Sequence, residues 1–154
     1  MERIVEERPD EVILAARWDL YDWRRRLVAT IAGLQAAGVR RIFVVGPVPV
    51  WPDSLPASVY RHLGRDAFHG VPQRMQAALE PRTAALDHEM ADVIAGGPAK
   101  YVSAMRILCN DDGCLVRTGP GVDSLTAWDD THLTASGSEF LVSHFPAAAI
   151  GAER

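Results

Sequence analysis

The sequence predicts an α/β protein built on parallel strands, and three observations carry that prediction. Short apolar runs recur far apart in the chain: "VILAARW" (12–18), "VRRIFVV" (39–45) and "YVSAMRIL" (101–108). Each lacks helical period and suits a strand buried on both faces. Between the runs lie stretches with apolar residues at helical spacing. Glycine or proline closes nearly every element. Strand, helix, strand, long loop with helix, strand, helix is the alternation of a parallel sheet with right-handed crossovers.

The elements follow in order. "MERIVEER" (1–8) reads as the tail of a helix, and Pro9 and Asp10 end it before the first strand. Leu20, Leu27, Ile31 and Leu34 then recur at helical spacing with Arg24 to Arg26 on the wet side, and Gly38 is the stop. The second strand, 39–45, runs into "GPVPVWP", which no central strand can continue through. From Pro47 to Pro81 the pattern is irregular, with a helical turn or two around Ser58–Leu63; a connection of that length is usually functional. Residues 82–95 return to helical spacing through Leu86, Met90, Val93 and Ile94, and Gly96, Gly97 and Pro98 stop them. The third strand is expected over 101–108. A last helix, from Ala135 to Phe145, has Ser136 and Glu139 in capping-box spacing.

Composition narrows the classes of function. The chain has 154 residues, 48% of them hydrophobic and 23% charged, and a formal net charge of −4. That suits one soluble domain and gives no electrostatic reason to expect nucleic acid or an anionic membrane as partner. No apolar run approaches the roughly 18 residues of a membrane span, and the charged N-terminus lacks the apolar region of a signal peptide. "GPG" (119–121) and "AGG" (95–97) do not form a nucleotide-binding glycine pattern after a strand, so no cofactor is expected. No His/Cys/Asp cluster shows metal-ligand spacing.

Cys109 and Cys114 flank a turn-forming Asn-Asp-Asp-Gly. A disulfide between them would stabilise by about 2 kcal/mol on the chain-entropy formula and would imply an oxidising compartment. The alternative is two free thiols in a reducing one. An oxidising compartment without a signal peptide is expected only if the chain is one piece of a longer exported protein.

"AWDDTHLTASG" (127–137) carries the chemistry. Asp129 and His132, three apart across a tight loop, can meet. A carboxylate that accepts the Nδ1 proton fixes the tautomer and leaves Nε2 as a general base. On these two residues alone, an Asp-rich loop capping the last helix, with His132 on the surface, explains the pattern as well. Ligands of parallel sheets bind at the carboxyl ends of the strands, which puts Trp18, Gly46, Trp51 and the Asp129–His132 loop at a candidate cleft. His62, His69, His88 and His144 read as structural or exposed, with His69 closest to that cleft.

The longer block "DDTHLTASG" resembles the last block of the SGNH (GDSL-like) hydrolase family. "VILAARW", "VVGPVPVW" followed by "LP", and "YVSAMRILCNDDGC" with its paired cysteines are similar to stretches of the subgroup fused to membrane acyltransferases of the acyltransferase-3 type. The resemblance implies a three-layer, flavodoxin-like sandwich. It also implies hydrolysis or transfer of an acyl ester, most often acetyl, on cell-surface carbohydrate, with His132 as base and Asp129 as its orienter. The implied setting is periplasmic or cell-surface, beside a membrane acyltransferase domain.

Two parts of the family pattern are missing. No Gly-Asp-Ser block is present, and none of the serines at 54, 58, 103, 124, 136, 138 and 143 sits in a nucleophile motif. "AARW" stands where the oxyanion asparagine is usual, which leaves the oxyanion donors unassigned. The expectation is therefore a single partial domain over 1–154 that supplies acid and base to a serine outside it. The first strand would then be an open, apolar sheet edge prone to pair with another copy. The competing reading is an inactive SGNH-like module that binds glycans or proteins through Trp18, Trp51 and Trp128.

Overall fold

In the computed structural model, residues 2–7, 9–20, 22–63, 70–76 and 80–146 are described. Their elements are α1 (Glu2–Glu7), β1 (Glu11–Leu14), α2 (Trp23–Ala36), β2 (Arg41–Val45), α3 (Leu55–Leu63), β3 (Arg74–Met75), α4 (Pro81–Ile94), β4 (Ala99–Val102), α5 (Ala104–Leu108), β5 (Cys109–Asn110), β6 (Gly113–Leu115) and α6 (Ala135–Ser143). Two compact units divide the chain: Met1–Pro47 with Ala85–Ser103, and Val48–Ala84 with Ala104–Arg154.

The first unit holds the expected parallel sheet, in the order β1-β2-β4. Val12 lies opposite Ile42 and Leu14 opposite Val44; Ile42 in turn faces Ala99 and Val44 faces Tyr101. This register puts Ile42 and Val44 on one face. There they meet Leu27, Ile31 and Leu34 of α2 and Met90 and Ile94 of α4. Each such buried side chain contributes about 1.5–3 kcal/mol relative to exposure. Arg24 of α2 reaches Glu89 of α4 at 2.5 Å. The helix stops also match expectation: Gly38 takes a left-handed φ of 87° and Gly96 one of 74°, conformations that glycine adopts without steric cost.

Trp18 follows β1 on a short 3-10 turn. It is buried, and its indole N–H donates to the Val45 carbonyl at 2.8 Å. Gly46 sits where a Cβ would run into the Tyr101 hydroxyl and come within 2.8 Å of Asp87 Oδ1. The missing side chain makes room for buried Asp87, which accepts from Tyr101 at 2.7 Å and from Ser103 at 2.8 Å.

The second unit was not anticipated as a sheet. It contains an antiparallel one, ordered β3-β6-β5. Its core gathers Trp51, Leu55, Val59, Met75, Met105, Cys114, Val116 and Ala127. Cys109 and Cys114 lie directly opposite each other on β5 and β6 and form a disulfide. The Asn110 side chain accepts the Asp112 N–H at 3.0 Å, an Asx turn that sets the hairpin reversal. Gly113 has φ 113°, and a Cβ there would collide with the Met75 carbonyl and lie 2.7 Å from Gln76 N.

Several boundaries differ from expectation, the following most. The run 12–18 is strand only to Leu14. The run 101–108 is split: β4 ends at Val102, and Ala104–Leu108 is helix. Ala104, Met105 and Leu108 are its buried residues, a helical spacing, and a short buried apolar run does not reveal its period. The irregular stretch 47–81 contains the nine-residue α3. His69 lies outside the described residues.

Candidate active site

All parts of the Asp129–His132 site belong to the second unit. The chain enters on Thr126, whose N–H bonds to the Val116 carbonyl at 2.9 Å, and turns back so that Trp128 N donates to the His132 carbonyl at 3.1 Å. Ala127 and Leu133 form an antiparallel bridge. Five residues, 128–132, therefore make a closed loop.

Thr134 then starts α6. Its Oγ1 accepts the Gly137 N–H at 3.0 Å and donates to the Leu125 carbonyl at 2.5 Å. Thr134, not Ser136, is the cap; the Ser136 hydroxyl pairs with Thr118 Oγ1 instead. At Gly137 a Cβ would overlap the Thr126 carbonyl oxygen and lie 2.9 Å from Thr126 C and Cα. The motif D-x-x-H-L-T-x-x-G thus has a physical account. Its first half makes a loop, its threonine caps a helix, and its glycine lets that helix press on the loop's incoming strand.

Within the loop Asp129 is saturated. Its Oδ1 accepts the backbone N–H of His132 at 2.6 Å and of Thr131 at 2.9 Å, and its Oδ2 meets His132 Nδ1 at 2.7 Å. Desolvation pushes the carboxyl pKa up. The backbone N–H groups of His132 and Thr131, and then the imidazole, outweigh that effect and hold it below its ordinary value. An ionised carboxylate only accepts, so Nδ1 carries the proton, and Nε2 of the neutral ring keeps its lone pair. The side chains are 65% exposed for His132 and 26% for Asp129. Among the described residues Nε2 has no hydrogen-bond partner. The pair can therefore take a proton from a hydroxyl that approaches from solvent.

The loop after β2 braces this arrangement. Trp51 N donates to the Asp130 carbonyl at 2.9 Å, and Leu55 N donates to the Asp129 carbonyl at 3.0 Å. The Trp51 ring is only 2% exposed, so it packs in the core and offers no face to a sugar. Its contribution to the site is its backbone. Trp18 and Gly46 belong to the first unit. There Trp18 lines a cavity of about 220 Å³ with Leu14, Ala15, Trp23, Leu27 and Thr30.

Among the described residues no serine hydroxyl is hydrogen-bonded to His132. Ser54 caps Ala57 N, Ser58 donates to Pro52 O, Ser103 to Asp87, Ser124 to Gly119 O and Gly121 O, and Ser143 to Phe140 O. Both cysteines are consumed by the disulfide. Ligand-capable atoms of Asp129, Asp130 and His132 come within 4.8 Å of one another, a grouping that the linear spacing did not suggest. Both Asp129 oxygens, however, are already committed to N–H donors.

Comparison with known proteins gives the family. A family model, the SGNH domain fused to AT3 domains, matches residues 1–147. The chain belongs to the SGNH domain family. A solved structure similar to this SGNH chain is the periplasmic domain of a lipopolysaccharide acetyltransferase from Salmonella ser. Paratyphi A, with a TM-score of 0.82 at 30% identity. The match covers 99% of this chain and 59% of that one, so the chain spans little more than half the length of its structural neighbour. No curated protein matches. The described residues contain no helix long and apolar enough to cross a membrane.

One neighbour of His132 was missed as such in the sequence. The Trp128 ring stacks on His132, with centroids 5.5 Å apart and planes 27° from parallel. Its position one residue before Asp129 was the available signal.

Proposed function

We propose that this chain is the acid–base part of an SGNH-type esterase or O-acyltransferase, with residues 1–154 as a partial domain of that type. The substrate class is an acyl ester, most simply acetyl, on cell-surface carbohydrate. The reading rests on one observation: Asp129 Oδ2 lies 2.7 Å from His132 Nδ1 while Nε2 faces solvent. Family membership and the acetyltransferase neighbour support it.

In this reading a serine from outside the chain attacks the acyl carbonyl. His132 Nε2 takes the serine proton as the C–O bond forms, then returns it to the departing oxygen. Asp129 holds the ring and stabilises the imidazolium without taking the proton itself. The setting is extracytoplasmic, next to a membrane acyltransferase domain, and the disulfide is consistent with it. Among the described residues β1 pairs only with β2, and its free side is an edge through which two copies would associate.

The test is labelling with a fluorophosphonate and acyl-ester turnover in the protein that carries this chain together with its membrane domain. His132→Ala should abolish labelling and slow turnover by about ten-thousandfold. Unchanged turnover in that variant rejects the reading.

A second reading, a glycan- or protein-binding module without catalysis, is favoured by the absence of a serine at His132. Carbohydrate binding with no turnover in the membrane-joined protein selects it.

A further inference from the structure

We propose that Trp128 is a carbohydrate platform that seats a neutral pyranose ring beside His132; the inference rests on the acyl-carbohydrate reading above. Tryptophan is among the residues that proteins bury most thoroughly on average. Trp18 and Trp51 obey this, and Trp23 is half-buried. Trp128 is 62% exposed.

The exposure does not come from a loose chain. Trp128 N is hydrogen-bonded to His132 O, the flanking residues are bridged, and part of the ring rests on the imidazole. A rigid backbone thus holds a large apolar surface in water, one ring width from the proposed base. A pyranose has a face of C–H groups with hydroxyls around its rim. An indole face flanked by oxygen acceptors complements both. The half-buried Asp130 lies two residues on in the chain, with a carboxylate oxygen within 4.8 Å of a ring nitrogen of His132. A sugar lying on the indole brings its hydroxyls to the imidazole edge, where an acyl group is gained or lost.

The charge around the platform selects the ligand further. Asp129 and Asp130 flank the site, and the chain carries a net charge of −4. Nucleotides and phosphorylated or uronic sugars would bring negative charge towards these carboxylates and are disfavoured. A neutral hexose is not.

The experiment is an NMR titration of the chain, following the four tryptophan indole N–H signals. The probes are neutral gluco-, galacto- and manno-trisaccharides at millimolar concentration, with trigalacturonic acid for comparison. The Trp128 signal is assigned by its loss in Trp128→Phe. We expect that signal to move saturably with at least one neutral trisaccharide and less with the acidic one. Trp128→Ala should bind about tenfold more weakly, and Trp128→Phe should fall between. Persistence of the His132 Nδ1–H resonance in both variants shows that the loop has kept its shape.

No saturable shift with any neutral trisaccharide, equal binding by Trp128→Ala, or a preference for the acidic probe overturns the proposal. His132→Ala turnover, measured in the membrane-joined protein, separates the two ideas. If that variant is inactive while Trp128 proves indifferent to sugar, the platform falls and the acid–base reading stands.

Discussion

Replacing Asp129 by asparagine separates the chemistry of the site from its architecture. The carboxylate accepts three N–H groups, at 2.6, 2.9 and 2.7 Å. Asparagine keeps one oxygen, and that oxygen can still accept from the His132 and Thr131 backbones. Its NH2 then faces Nδ1. Because an amide NH2 only donates there, Nδ1 must accept, and the ring proton moves to Nε2. The loop loses charge assistance but no bond, a cost of about 1 kcal/mol. If the proposed function holds, the catalytic consequence is far larger, since a Ser-His-Asp system locked in the wrong tautomer loses about 10⁴ in rate. Asp129→Ala differs in kind. It removes both acceptor oxygens, and with them all three hydrogen bonds, from a partly buried turn and should cost about 3 kcal/mol. Nitrogen-15 NMR of the imidazole distinguishes the tautomers in the chain alone, and chemical denaturation gives the stabilities. We expect Nδ1–H in the parent, Nε2–H in Asp129→Asn, and a folded but weakened Asp129→Ala. An Asn variant that retained Nδ1–H would refute the reasoning, because the carboxylate would then not be what sets the ring.

Three further predictions follow from the same geometry. Gly137→Ala should destabilise the chain by about 2 kcal/mol: overpacking against the Thr126 backbone costs about 3 kcal/mol, and the helix propensity of alanine returns about 1. Urea unfolding measures this, and parent-like stability would mean that α6 does not press on Thr126. Replacing both cysteines by serine should cost about 2 kcal/mol, with the His132 Nδ1–H signal retained, since the disulfide closes a hairpin remote in sequence from the Asp129 loop. Because Asp129 is depressed in the folded state, its contribution is fully present above its unfolded value of about 3.9 and is lost as pH falls through the lower folded value. The stability gap between the parent and Asp129→Asn should thus be flat above about pH 5 and shrink below about pH 4; a gap that widens on acidification contradicts the assigned direction.

The parallel sheet was legible because its information is local. Residues 42–45 are apolar without a break, α2 and α4 carry helical spacing, and Gly38 and Gly96 sit where their backbones need a positive φ. The contact between Asp129 and His132 was legible for a related reason, since both residues lie in one tight loop and their meeting needs no distant element. What escaped was information spread thinly along the chain. β3 and β5 have two residues each and β6 three, too few to show alternation, and their pairing depends on tertiary context. Ala104–Leu108 looked like a continuation of β4 because five apolar-rich residues carry no decisive period. The cap went to Thr134 rather than Ser136 because the Gly137 N–H lies over Thr134. The burial of Trp51 and the exposure of Trp128 are properties of the folded surface, and nothing in the one-letter code separates two tryptophans that each lie beside a turn.

The loop 128–132 has a consequence for how the proposed acid–base unit is assembled. His132, Asp129 and Trp128 come from five consecutive residues, so the entropy of joining them is that of closing a very short loop. The trio can form early and locally, without waiting for strands distant in the chain to find each other. In the proposed reading, a polypeptide arranged this way arrives with its proton acceptor already poised, and what remains to be brought to it is a hydroxyl and the donors for an oxyanion.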